Sequence, residues 1–80
     1  MHVNDFIPDL RRAAAELADS EERRQLFSAL EAGWTSSSEM LGQIGKAIRT
    51  LEAETPELPG PVRQSFQRAL AEIRKVWPSI

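Results

Sequence analysis

The stretch Trp34-Thr35-Ser36-Ser37-Ser38-Glu39-Met40-Leu41-Gly42-Gln43-Ile44-Gly45-Lys46-Ala47-Ile48-Arg49-Thr50-Leu51 decides the fold. Hydroxyl residues come first, and an apolar stripe follows at helical spacing. Ser36 and Glu39 stand three apart, as in a capping box: the serine oxygen accepts an orphan N–H of the first turn, and the carboxylate reaches back to the cap's own N–H. Glu39 also sits where the helix dipole favours negative charge. Thr35 competes as the cap, so the start is fixed to within a residue or so. Met40, Leu41, Ile44, Ala47, Ile48 and Leu51 then fall on one face at about 100° per residue. Gly45 borders that stripe and Gly42 lies almost opposite it. The pattern predicts a helix ending near Ala53.

On the N-terminal side, Glu21 to about Ala32 reads as a second helix with Leu26, Phe27, Ala29 and Leu30 inward, helped by the aliphatic stem of Arg23. Asp19 and Ser20 are both good caps, and Asp19 with Glu22 has capping-box spacing. Gly33 is the natural stop, because a C′ residue adopts a left-handed backbone that glycine reaches without strain. Trp34 at C″ is then placed to fold back on the preceding turn. Before this, Asn4 or Asp5 caps a first helix with Phe6, Leu10, Ala14 and Leu17 on one stripe. Pro8 belongs to its first turn, since an interior proline costs about 3 kcal/mol. This helix is short, and loose packing of it would leave a three-helix core.

On the C-terminal side, three prolines in Thr55-Pro56-Glu57-Leu58-Pro59-Gly60-Pro61 stop the third helix and stiffen the link, with Leu58 tucked inward. Gly60 is a modest cap and Pro61 suits the first turn of a fourth helix. Val62, Phe66, Leu70, Ile73 and Trp77 form its stripe, widened by Ala69 and Val76. Pro78 is expected to end it. Four amphipathic helices joined by short links predict an all-α, up-and-down bundle: a three-helix core plus a shorter N-terminal helix, with residues 1–80 as one domain.

Composition narrows the function classes. A hydrophobic fraction of 41% supports a folded core. The absence of cysteine removes disulfides and thiolate chemistry and fits a cytoplasmic protein. The net charge of −2 gives no overall pull toward nucleic acid or anionic lipid. The charge is uneven: residues 1–55 carry six basic and ten acidic groups, net −4, and residues 56–80 carry four basic and two acidic, net +2. No apolar run approaches the roughly eighteen residues of a membrane span. The first residues have neither the basic nor the apolar segment of a secretory leader, so none is expected.

No catalytic constellation is apparent. Ser36, Ser37 and Ser38 lack a neighbouring general base, and helix capping accounts for one or two of them. His2, the one histidine, has no second ligand at a useful spacing and is expected to be an exposed terminal residue. Glu21 and Glu22 suit the first turn of a helix. Glu52 and Glu54 carry no further signal. Gly42 and Gly45 lack the lysine–hydroxyl end of a phosphate loop. No enzyme, cofactor or metal is therefore expected.

Gly42 is the odd residue. A glycine inside a helix costs about 1 kcal/mol against alanine. Either another backbone comes close to it or it is a tolerated surface glycine. Gly45 is expected to admit the first or second helix. Trp77 is expected in the core. Trp34 reads either as a packed C″ residue or as an aromatic anchor for a partner, tryptophan being enriched at binding hot spots.

Residues 26–42 resemble the first half of a helix-turn-helix of the winged type, with a glycine turn and a hydroxyl cap before a Glu-x-Leu helix. The resemblance implies a nucleic-acid-binding regulator. The sequence departs from that pattern after Gly42, where the stripe runs on through Ile44, Ile48 and Leu51 instead of giving way to a second turn and a separate recognition helix. Basic residues for phosphate contacts are also sparse. The preferred expectation is a small non-catalytic protein-binding module. Bacterial immunity proteins, antitoxins and phage-encoded inhibitors include helical folds of this size that act by surface occlusion, an analogy of fold alone. The expected partner face is Trp34, Thr35, Ser37, Gly42, Lys46 and Arg49. A homodimer through the third or fourth helix is compatible with either function.

Overall fold

The computed structural model of the chain describes residues 6–32 and 36–80, apart from the side chain of Ser37. Four helices account for most of them: α1 (Phe6–Ala15), α2 (Glu21–Glu31), α3 (Ser37–Glu54) and α4 (Gly60–Ile73). Each helix packs on its neighbours in sequence, and α4 closes the ring against α1. This is the up-and-down bundle that short links impose.

The core lies along the ring's axis. Leu10, Leu26, Ile44, Ile48, Leu51, Val62, Phe66, Leu70 and Ile73 are fully enclosed there. α1 is the shortest helix, as expected, and it is also a full member of this core through Phe6, Leu10, Ala13 and Ala14. Leu17 packs against the core just beyond the end of α1. Leu58 is buried as the proline-rich link crosses between α3 and α4.

The ends of the helices show which local signals prevailed. Ser36 caps α3, its Oγ accepting from Glu39 N at 3.3 Å. Ser20, not Asp19, caps α2, accepting from Arg23 N at 3.1 Å. That leaves the Asp19 carboxylate free to take Arg24 at 2.8 Å and Arg23 at 3.5 Å. α4 starts one residue earlier than expected, with Pro59 as N-cap, Gly60 within the helix and no side-chain cap. Pro8 lies in the first turn of α1. The expected caps at Asn4 or Asp5 and the Gly33–Trp34 stop fall outside the described residues.

The C-terminal end departs most from expectation. α4 stops at Ile73, well before Pro78. Its last turn tightens, with Lys75 N donating to Glu72 O and Val76 N to Ile73 O. The residue before a proline is biased away from helical geometry, which disfavours continuing the helix through Trp77. Trp77 therefore leaves the core stripe and is 39% exposed. A further turn, closed by Ile80 N donating to Trp77 O at 3.0 Å, carries the chain back toward Ile73.

Interhelical polar contacts lie around the rim. Arg68 pairs with Asp9 at 2.8 Å and also donates to Ser65 Oγ, tying α4 to α1. Arg11 joins α1 to Glu31 of α2 at 3.0 Å. Arg23 donates from Nε to the Ala14 carbonyl at the end of α1 while its guanidinium carbon lies 5.0 Å from the Phe27 ring centroid. Gln67 of α4 donates to Glu52 of α3. Ser65 is the one buried polar residue among those described, and Arg68 serves it.

Candidate functional site

The residues expected to meet a partner are centred on the outer side of α3. The apolar stripe faces inward, which turns Gly42, Lys46 and Arg49 away from the axis. Lys46 and Arg49 are exposed, and Gly42 is buried. What buries it is the chain's own C-terminal segment, not a neighbouring helix. A Cβ built on Gly42 would stand 3.3 Å from Trp77 Cε2 and Nε1. Gly45 lies one turn along, and a Cβ there would stand 2.8 Å from Ile80 Cγ2 and 3.1 Å from Ile73 Cγ2. The expectation that Gly45 admits the first or second helix is thus corrected: α4 and the segment beyond it approach instead.

Polar contacts hold the segment in place. The Trp77 indole N–H donates to the Ser38 carbonyl oxygen at 2.7 Å. Arg49 Nη1 donates to the main-chain oxygen of Ile80 at 2.6 Å, and Arg74 Nη2 to the same oxygen at 3.2 Å. The other side of Arg49 reaches Glu52 at 3.9 Å. Trp34 and Thr35 lie outside the described residues. Ser37 opens α3, and its side chain is likewise outside them.

Of the clefts that Lys46 lines, two flank it on this face. The one toward α2, about 350 Å³, is lined by Gln25, Ser28 and Ala29 from α2, by its C-cap Ala32, and by Gln43, Ala47 and Thr50 from α3. The other lies toward the C-terminal segment, between Glu39, Gly42 and Gln43 on one side and Trp77, Ser79 and Ile80 on the other. The α2 side of this surface was not among the sequence expectations. The signal for it was the run of small and amide side chains at Gln25, Ser28, Ala29 and Ala32, a spacing that thins one helix face.

The ionisable groups are mostly committed to one another. Arg11, Arg23, Arg24, Arg49, Arg68 and Lys75 each pair with a carboxylate. The hydrogen bond from Arg68 holds the Asp9 carboxyl below its ordinary value, with Ser65 and the charge of Arg12 acting in the same direction. Arg24 does the same to Asp19. Among the described residues, no three His, Cys, Asp or Glu side chains are grouped so as to hold a metal ion. Nor is any side-chain nitrogen or oxygen among them buried without a partner. Ser36 is occupied as a cap, and Glu21 lies in the first turn of α2 near Arg24.

The stretch that resembles a helix-turn-helix continues as one helix: α3 runs unbroken from Ser37 to Glu54. No described helix is long and apolar enough to cross a membrane. Comparison of the chain with protein-family profiles, curated proteins and solved structures finds no match.

Proposed function

We propose that this chain is a small non-catalytic protein-binding module that acts by laying the outer side of α3 and the adjoining edge of α2 against another protein. Occlusion of the partner's surface, as an inhibitor of the immunity-protein, antitoxin or phage-inhibitor kind works, is the mode of action that suits it. The observation that carries the reading is the place of Lys46, exposed between a cleft walled by small residues on the α2 side and one walled by Trp77 and Ile80 on the other. Small residues on α2 let a partner's backbone come close, and a charged group between two shallow apolar floors gives orientation. The pairing of most basic side chains with carboxylates favours this reading over nucleic-acid binding, which needs cations free to meet phosphates.

The test is affinity capture with the wild type, Ser28→Arg and Lys46→Glu, followed by reconstitution of the captured protein from purified components. Loss of the reconstituted complex in both variants, with helical content unchanged, supports the reading. Equal binding by all three proteins overturns it. Self-association would draw on the exposed Val76 and Trp77, and light scattering over a concentration series reads it directly.

A further inference from the structure

The glycine pair of α3 and the last residues of the chain match in spacing. Gly42 and Gly45 are three apart, and so are Trp77 and Ile80. On a helix that places the two glycines about 4.5 Å apart along the axis. The turn closed by Ile80 N on Trp77 O brings the two side chains of the segment to one side. The indole then covers Gly42, and the branched end of Ile80 covers Gly45. Each glycine weakens the helix that carries it, and at both positions the missing side chain is the space that the segment fills.

The attachment differs from core packing. The segment lies beyond the end of α4 and has no helical ladder of its own. Among the described residues two hydrogen bonds join it to α3: the indole N–H to the Ser38 carbonyl, and the Arg49 guanidinium to the Ile80 main-chain oxygen. Among the described residues, Val76 and Trp77 are the large apolar side chains left exposed. Local stability follows buried apolar contact, so a unit held this way opens more readily than the bundle it sits on.

We propose that Ser38, Gly42, Gly45 and Arg49 form a receptor site for a short peptide, which presents an aromatic ring bearing an N–H and, three residues on, a branched aliphatic side chain. Residues 77–80 occupy this site in cis and compete with a partner for it. Three features set the partner's chemistry. The Ser38 carbonyl selects a donor on the ring. The space over Gly45 selects a branched aliphatic group. Arg49 donates to a main-chain oxygen, which every residue carries, and therefore adds strength without sequence preference. A tethered segment competes at an effective concentration of about a millimolar, so a free peptide is strongly disfavoured until the cis segment is weakened. This inference rests on the reading of α3 as a protein interface and gives that interface its own means of regulation.

The experiment uses the full-length chain and a fluorescein-labelled peptide of the sequence Arg-Lys-Val-Trp-Pro-Ser-Ile, residues 74–80. Fluorescence anisotropy is read against the wild type and against the double variant Trp77→Ala/Ile80→Ala. The double variant should bind the peptide at least about tenfold more tightly than the wild type. Adding Gly45→Leu to the double variant fills the site and should abolish binding. Adding Arg49→Ala removes one anchor without steric change and should weaken binding severalfold, which decides the matter should Gly45→Leu disturb the fold. The proposal is overturned when the helical double variant binds no more tightly than the wild type, or when Arg49→Ala binds as tightly as its parent. The readout needs no cellular partner, so it stands apart from the capture experiment and can fail or succeed on its own.

Discussion

Trp77 occupies the space that a side chain at position 42 would take, and the absence of one at Gly42 lets the indole approach the α3 backbone closely enough to donate to Ser38. A helical position almost opposite the core stripe is thereby buried by a residue 35 places later in the chain. The glycine's cost within its helix and the tryptophan's departure from its own core stripe are two sides of one contact.

Gly45→Ala separates this contact from the bundle. The new methyl would stand 2.8 Å from Ile80 and 3.1 Å from Ile73. Ile73 is fully buried and held, so Ile80 must yield. Alanine meanwhile gains about 1 kcal/mol of helix propensity. Global stability should therefore change by less than about 1 kcal/mol, while Trp77 emission shifts to the red as the segment loosens. A Trp34→Phe background leaves Trp77 as the sole reporter. Unchanged emission would argue against close packing at Gly45.

Gly60→Ala provides the contrast. A Cβ there meets nothing within 4 Å, and the residue lies inside α4 without a positive φ. Alanine restricts the unfolded chain, but residue 60 precedes Pro61, and a Cβ before proline disfavours the helical backbone held here, so the usual gain of about 0.4–1 kcal/mol should be offset and the urea midpoint should not rise.

The capping assignments are tested by pairing two substitutions. Ser20→Ala removes the acceptor for Arg23 N and should cost about 1 kcal/mol. Asp19→Ala removes exposed ion pairs with Arg24 and Arg23 and should cost less than Ser20→Ala, the cost falling with added salt. The reverse order in thermal melts would make Asp19 the cap.

Acid should loosen the α1–α4 edge. Arg68 holds Asp9 below its ordinary value of 3.8, so the carboxylate contributes stability that is fully present above that value. The contribution disappears as pH falls through the lower, folded-state value. Asp9→Asn should thus be less stable than wild type at neutral pH, by under about 1 kcal/mol for so accessible a pair. The two should converge once pH falls below that folded-state value. A gap that persists in acid would assign the effect to something other than the carboxylate's charge.

Much of the fold was legible because its signals are local. Leu41, Ile44, Ala47, Ile48 and Leu51 are buried as their spacing requires, and Ser36 starts α3 where the capping pattern puts it. The choice between Ser20 and Asp19 was not legible. Both side chains can cap, and what favours Ser20 is that Asp19 has Arg24 to pair with. The end of α4 was missed because Trp77 continues a perfect stripe, and periodicity does not register that the residue before Pro78 is biased away from helical geometry. The candidate surface was half legible. Gly42, Lys46 and Arg49 share one side of α3, but the α2 wall depends on how two helices meet, and the cover over Gly42 depends on a contact between distant parts of the chain. The matching three-residue spacings of Gly42–Gly45 and Trp77–Ile80 were the available signal.

The most direct test of the account is a nuclear Overhauser measurement on the intact chain in solution, observing the indole N–H of Trp77. Closure of the C-terminal segment over α3 predicts cross-peaks from that proton to the Gly42 α-protons, together with slowed exchange of the proton with solvent. An indole N–H that exchanges freely and shows cross-peaks only to its own neighbours in sequence would contradict it.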